Sequence, residues 1–344
     1  MKKFSNIAAT LIILMGLQCQ NKESTEGSAS STSEFSSNRG QMREDLKIFS
    51  AAPHPLGSKQ QETVRDFLVA RLKDFGFESK LQKFFAQTPN PILMKTQNSP
   101  SPTTISKEGV NILTLVPKNN APCLIAIGSH YDTKIFESFT YRGANDSGSS
   151  SVALLYILDY LSSHSEQQKC HYLGIWFDGE EAVLGGWHDG ESRHPARLQD
   201  NTYGSRYFVS QLVSCSSNTN EKHCLPQELG GYRISALILL DMIGSPNIKI
   251  SRDSNSSPRL LKLLQQVDSE LFKESIISRG ASSPIDDDHI PFIEQGIEAI
   301  DIIDFNNLSV WHQPGDDEDK VSTESMIKAS QLTLGLIRKM EASY

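Results

Sequence analysis

Apolar residues along this chain recur in two rhythms. Nearly unbroken runs occur at Val110–Val116, Leu124–Ile127, Tyr172–Phe177, Ile234–Leu240 and Ile297–Ile303. Short runs of this kind, bounded by Gly, Pro or polar residues, predict strands buried on both faces. Residues 78–86 and the short Ile248–Ile250 are weaker strand candidates. The second rhythm is helical. Val64, Phe67, Leu68, Ala70, Leu72 and Phe75 predict an amphipathic helix over Glu62–Phe75, with Gly76 as its stop. Further helices are predicted at Ser149–Leu161, Ser205–Val213, Pro258–Leu271 and Ser322–Met340, and Ile290–Gln295 reads as a short helical piece. The polar stretches Gln87–Lys107 and Leu184–Tyr203 read as long loops. No internal repeat is present. Strands alternating with helices predict an α/β fold: a mixed, largely parallel central sheet flanked by helices on both faces.

The N-terminus departs from this pattern. Lys2 and Lys3 precede an apolar run, Ile7–Leu17, that is short for a membrane span and suits a signal segment. Cys19 at its end resembles a bacterial lipoprotein cleavage box, although Gln18 is atypical there, so simple secretion remains the alternative. The Ser-, Asn-, Glu- and Thr-rich residues that follow predict a disordered tether. The expected organisation is a signal peptide (1–18), a tether (19–40) and one catalytic domain (41–344). The protein is expected to be exported: periplasmic, secreted or anchored as a lipoprotein. It would meet a membrane only through the lipid on Cys19.

Composition narrows the choices. Hydrophobic residues make up 38% and charged residues 22%, as in soluble globular proteins, and the net charge of −8 excludes ordinary nucleic-acid binding. Export permits disulfides. Cys123, Cys170, Cys215 and Cys224 allow three pairings. Cys215 and Cys224 flank the polar loop Ser216–His223 and can staple it. Cys123 and Cys170 each precede an apolar run, and can pair if those strands are parallel neighbours. Four free thiols are the alternative, and without a CxxC spacing a structural zinc site is not expected.

The chemistry lies where the strand runs stop. His130 follows the Leu124–Ile127 run, Glu180 and Glu181 follow Tyr172–Phe177, Asp241 ends Ile234–Leu240, and His312 lies shortly after Ile297–Ile303. Asp146 sits in the Gly- and Ser-rich Gly143–Gly148 loop that opens a helix. Each has an ordinary structural explanation alone: a helix cap, a core histidine, an acidic turn. Together they acquire meaning, because parallel strands deliver their carboxyl ends to one rim. A mixed Asp, Glu and His set suits Zn²⁺ with three protein ligands and an open position, as in catalytic sites. Two adjacent glutamates repel unless a cation offsets them, leaving one as ligand and the other as a base.

These residues, in His130-Tyr131-Asp132, Gly143-Ala144-Asn145-Asp146-Ser147-Gly148, Asp178-Gly179-Glu180-Glu181 and Leu240-Asp241 with a late His, resemble the zinc aminopeptidase superfamily. Asp200-Asn201-Thr202-Tyr203-Gly204-Ser205-Arg206, Asp287-Asp288-His289-Ile290-Pro291-Phe292 and Val310-Trp311-His312 with Asp316-Asp317-Glu318-Asp319 are similar to its animal-type zinc glutaminyl cyclases, the glutaminyl-peptide cyclotransferases. The resemblance runs from about Ser50 to the C-terminus. It implies the zinc-aminopeptidase-like (phosphorylase/hydrolase-like) fold and one Zn²⁺ per chain on Asp146, Glu181 and His312. It further implies Glu180 as general acid/base, Asp241 and Asp287 in a carboxylate hydrogen-bond network beside it, and Trp187 and Trp311 shaping the substrate pocket. The implied reaction converts the N-terminal Gln of peptides or proteins to pyroglutamate with release of ammonia, the work of an acyltransferase; the chain is separately expected to be a monomer. Asp301 departs from the vertebrate cyclases, which carry His there; many aminopeptidases carry Asp. The alternative is a two-zinc aminopeptidase, with His130 and Asp241 completing a second metal position. A non-enzymatic binding module would be expected to have lost a ligand or the base, and neither is lost.

Overall fold

The alternation of side chains along each strand sorts the core into two layers. A computed structural model describes residues 37–90, 104–190, 200–216, 221–306 and 311–344. The expected signal peptide, Cys19 and the tether as far as residue 36 lie outside the described residues, as do parts of the two long polar loops and Val310. Strands β1 (Ser79–Pro89), β2 (Thr104–Val116), β3 (Leu124–His130), β4 (His171–Phe177), β7 (Ile234–Asp241) and β8 (Glu298–Ile303) form a six-stranded sheet in the order β1-β2-β4-β3-β7-β8. A small hairpin, β5 (Val213–Ser214) and β6 (Lys222–Cys224), stands apart. Strands β4, β3, β7 and β8 are mutually parallel, whereas β1 and β2 pair antiparallel. The sheet is therefore mixed and largely parallel, as the sequence predicts.

Every residue of β3 and β4 is buried. Ile125, Ile127, Ile238 and Leu240 join one core layer, and their neighbours Leu124, Ala126, Leu237 and Leu239 join the other. The first layer packs against α1 (37–49), α2 (Lys59–Asp74), α3 (Ser150–Ser163), α5 (Pro258–Leu271) and α7 (Thr323–Glu341). The second packs against α4 (Tyr203–Ser210) and α6 (Ile290–Glu294) through Phe208 and Phe292. Covering both faces of a parallel sheet is what its uniformly apolar strands require.

Both cysteine pairs form: Cys123–Cys170 with Cα atoms 4.7 Å apart, and Cys215–Cys224 at 5.1 Å. The first joins the amino ends of neighbouring parallel strands β3 and β4, Leu124 lying opposite His171.

Three expectations need correction. The Gln87–Lys107 stretch is not wholly loop. β1 continues to Pro89 and β2 begins at Thr104, these two residues being partners. Phe84, Ala86 and Thr88 are buried while Lys83, Phe85 and Gln87 are exposed; Phe84 and Ala86 pack with Leu56 and Tyr203, and β2 supplies the backbone partners. Ile248–Ile250 is no strand; Ile250 makes a single bridge with Ile277. Residues 37–40, expected in the tether, belong to α1, which is anchored by Met42, Leu46 and Phe49 in the core.

Candidate metal centre

The parallel strands β3, β4 and β7 end at one rim, and each delivers a site residue there. His130 is the last residue of β3. Beyond β4, Gly179 adopts φ +71°, which turns the chain so that Glu180 and Glu181 face the rim. Their backbone is clamped from two sides. Asp132 accepts from the backbone N–H of Glu180 (3.0 Å) and Glu181 (3.3 Å). The N–H of Thr202, just before α4, donates to the Glu180 carbonyl at 2.9 Å. Asp178 sits beneath, accepting from Val110 N (2.7 Å), the Tyr131 hydroxyl (3.2 Å) and the Gln61 amide.

Asp146 comes from the turn ahead of α3. Gly143 opens that turn at φ +59°, where a Cβ would meet the Asp146 carbonyl oxygen at 2.2 Å, so only glycine fits. The Asp146–Ser147 peptide is cis. Asp316 holds this turn from the far end of the chain, accepting from Asn145 N (2.8 Å) and Asp146 N (3.1 Å). His312 follows Trp311, whose ring stacks on it at 4.2 Å between centroids.

These elements bring the expected residues together in two adjoining sets. Asp146, Glu181 and His312 offer ligand atoms within 4.8 Å of one another, and so do His130, Asp146 and Asp241. In the first, His312 Nε2 lies 3.1 Å from Glu181 Oε1 and 3.6 Å from Asp146 Oδ2. In the second, His130 Nε2 lies 3.0 Å from Asp146 Oδ1 and 3.4 Å from Asp241 Oδ1. Glu181 Oε2 and Asp241 Oδ1 are buried without a hydrogen-bond partner. Leaving such groups unpaired is costly, and ligation by a cation offsets it. The donor set, nitrogen plus carboxylate oxygen, fits Zn²⁺.

Burial pushes Glu180 well above the usual carboxyl range, and Asp287, Glu181 and Asp288 add to the rise while His130 opposes it. Burial pulls His130 down, but Glu180, Asp132, Asp146 and Asp241 outweigh it and hold the imidazole well above its ordinary value. Asp287 and Asp301 are pushed well above the usual range by burial and then by their carboxyl neighbours. Among the described residues no hydrogen bond joins Glu180, Asp241 and Asp287; they influence one another through space. Asp301, on β8, is fully buried, with both carboxyl oxygens lacking a hydrogen-bond partner.

A cavity of about 250 Å³ opens above the rim, and Asp146, Glu180, Glu181, Asp241, Asp287 and His312 line it together with Trp187 and Trp311. His130 is not part of this lining and lies behind Asp146 and Asp241. A larger groove of about 670 Å³ lies at the opposite end of the sheet among residues such as Phe75, Phe77 and Leu115, and holds none of the metal-competent residues. Size therefore does not mark the site; convergent chemistry does.

Sequence reasoning gave no role to three supporting groups. Lys134, 2% exposed, donates to the carbonyls of Ala182 (2.8 Å) and Gly186 (3.2 Å), and its Nζ is 3.7 Å from Glu181 Oε2. Asp189 accepts from Val183 N and Leu184 N and from the Tyr203 hydroxyl, shaping the segment that carries Trp187. The Tyr141 hydroxyl donates to Asp146 at 2.7 Å. Asp132, two residues after His130, and Asp316, four residues after His312, lie in the motifs and so carry a signal for supporting groups; a buried lysine or tyrosine leaves none.

The sequence pattern of Peptidase family M28 is matched over residues 111–337. A glutaminyl-peptide cyclotransferase of Dictyostelium discoideum is 29% identical over 294 residues, spanning 79% of this chain and 78% of that protein. Among solved structures, the glutaminyl cyclase of an Acidobacteriales bacterium superimposes with a TM-score of 0.69 at 24% identity, covering 89% of this chain and 96% of that one. A Zn-dependent exopeptidase from Parabacteroides distasonis superimposes with a TM-score of 0.65 at 18% identity, covering 87% and 97%. Similarity of fold thus extends to both a cyclase and an exopeptidase.

Proposed function

The chain belongs to peptidase family M28, and within that family we propose that it is a glutaminyl-peptide cyclotransferase, converting the N-terminal Gln of peptides and proteins to pyroglutamate and ammonia. The observation that carries this reading is the cavity itself. A metal-competent triad, an adjacent buried glutamate and two tryptophans share a space of about 250 Å³. That is room for one flexible side chain bent back on its own amine. The likeness to a curated cyclotransferase over most of both chains supports the same choice.

In this reading Asp146, Glu181 and His312 hold one Zn²⁺. Zinc bound there supplies a Lewis acid for the γ-amide carbonyl. Glu180 is the general acid/base. The α-amine nitrogen bonds to the γ-amide carbon, and the bond from that carbon to the amide nitrogen breaks. Glu180 accepts the proton the amine loses and delivers it to the departing nitrogen, so ammonia leaves and the carboxylate is regenerated. Burial and Asp287 raise the proton affinity of this carboxyl, and Zn²⁺ bound beside it would lower it again, the opposition that suits a group that both takes and returns a proton. The rings of Trp187 and Trp311 exclude water, which the cyclisation does not need, and hold the chain bent.

A second reading is favoured by one specific observation. His130, Asp146 and Asp241 form a second set as compact as the first, as a two-zinc aminopeptidase would require. One experiment separates the two. Ammonia release from a Gln-initiated dipeptide, abolished by a chelator and restored by Zn²⁺ at one equivalent per chain, is the expected result. No pyroglutamate, together with cleavage of amino-acid anilides at two equivalents, would establish the peptidase instead.

Two disulfides suit an oxidising compartment outside the cytoplasm. We place the protein there as a monomer, held to a membrane by a lipid on Cys19. The mass of the mature N-terminus tests the lipid, and light scattering tests the monomer.

A further inference from the structure

Tyr141 belongs to none of the motifs that identify the site, yet it touches two of the three residues assigned to zinc. Its side chain is 1% exposed. The hydroxyl donates to Asp146 Oδ2 at 2.7 Å, and that same oxygen lies 3.6 Å from His312 Nε2. The other carboxylate oxygen, Oδ1, faces His130 Nε2 at 3.0 Å. With a partner on each oxygen, the Asp146 carboxylate cannot rotate without breaking a buried hydrogen bond. The Tyr141 ring also meets the His312 imidazole edge to face, 5.8 Å between centroids at 81°. Phe136 closes the cluster, 5.3 Å from Tyr141 and 5.6 Å from His312. One residue therefore restrains a carboxylate ligand by a hydrogen bond and an imidazole ligand by ring packing. Groups that orient metal ligands in this way typically account for about 10–100-fold in metal affinity.

We infer that Tyr141 is a positioning residue of the metal centre, holding Asp146 and His312 in their ligating arrangement and so setting how tightly the site retains zinc. The inference rests on the assignment of Asp146, Glu181 and His312 as zinc ligands.

The test is a zinc dissociation constant, measured by competition with a chromophoric chelator on the full chain and its Y141F variant. Y141F keeps the ring and removes the hydroxyl. Its affinity is expected to fall by about 10–100-fold, and the visible spectrum of its Co²⁺ form is expected to differ from wild type. Y156F is the control: it removes another buried phenolic hydroxyl, one bonded to Asp45 at 2.8 Å away from the site, and should leave zinc affinity unchanged. F136L removes the ring that packs against both Tyr141 and His312 but spares the hydroxyl, and is expected to weaken binding less than Y141F. Equal affinity in Y141F and wild type overturns the inference, as does a loss in F136L as large as in Y141F. A wild-type chain that binds no zinc would sink the ligand assignment instead, a separate result.

Discussion

Replacement of Glu180 by Gln isolates the proton-transfer step. The side chain is buried and lines the cavity, but its main chain is what holds the loop: Asp132 accepts from its N–H and the Thr202 N–H donates to its carbonyl. Glutamine keeps the volume and these backbone bonds, so the ligand triad should remain. What is lost is the ability to take up and return a proton, which is worth about 10²–10⁴-fold in rate, or roughly 3–5 kcal/mol of barrier. A competing electrostatic explanation must be separated from this. Glu180 Oε2 lies 4.0 Å from His130 Nδ1, and unit charges at that distance interact by about 4 kcal/mol at an effective dielectric near 20, a term of the same size. E180D separates the two effects. It keeps a negative charge beside His130 but withdraws the carboxylate by one methylene, out of hydrogen-bond reach of a bound amine. The assay is kcat for ammonia release at saturating Gln-dipeptide, with zinc content measured on the same samples. E180Q should retain zinc and lose about two to four orders of magnitude in kcat, and E180D should lose more than about tenfold. E180D at wild-type rate would show that the carboxylate acts only through its charge. E180Q at more than a tenth of wild-type rate would refute the assignment of Glu180 altogether.

Three further outcomes follow from groups around the site. K134M removes the ammonium that donates to the Ala182 and Gly186 carbonyls; losing even one charged hydrogen bond of about 1.5 kcal/mol should raise KM about tenfold by loosening the Trp187 segment, and steady-state kinetics showing an unchanged KM would contradict this. Burial lowers His54 from 6.5 to about 4. Its folded form therefore binds fewer protons than the unfolded chain, so stability is full above about pH 6.5 and declines as pH falls toward about 4, by roughly 3 kcal/mol in all. Urea unfolding of the zinc-free protein at about pH 7.5 and pH 4 should show wild type losing that much more than H54Q, and equal losses would refute the argument. Cys123 and Cys170 are 47 residues apart, and opening a loop of that length should cost up to roughly 4 kcal/mol of stability, measurable as the difference in unfolding free energy between wild type and the C123A/C170A pair.

The uninterrupted strand runs and the helical spacing determined by themselves that the chain makes a largely parallel sheet covered on both faces, because a strand apolar at every position is stable only when buried on both sides. They also placed His130, Glu180, Glu181 and Asp241 at strand ends, and parallel strands can deliver those ends only to a single rim. The cysteine pair before β3 and β4 was legible for the same reason. Three things were decided by tertiary structure alone. The polar ends of β1 and β2 are strands only because each supplies the other's backbone partners, a non-local effect that leaves no local pattern. How closely the two sets of metal-competent residues approach through Asp146 depends on the turn that Asp316 holds from 170 residues away. The supporting Lys134 and Tyr141 carry no motif, because what makes each matter is the company it keeps when buried: a buried ammonium or phenol must find partners, and which partners it finds is settled only when the rim assembles.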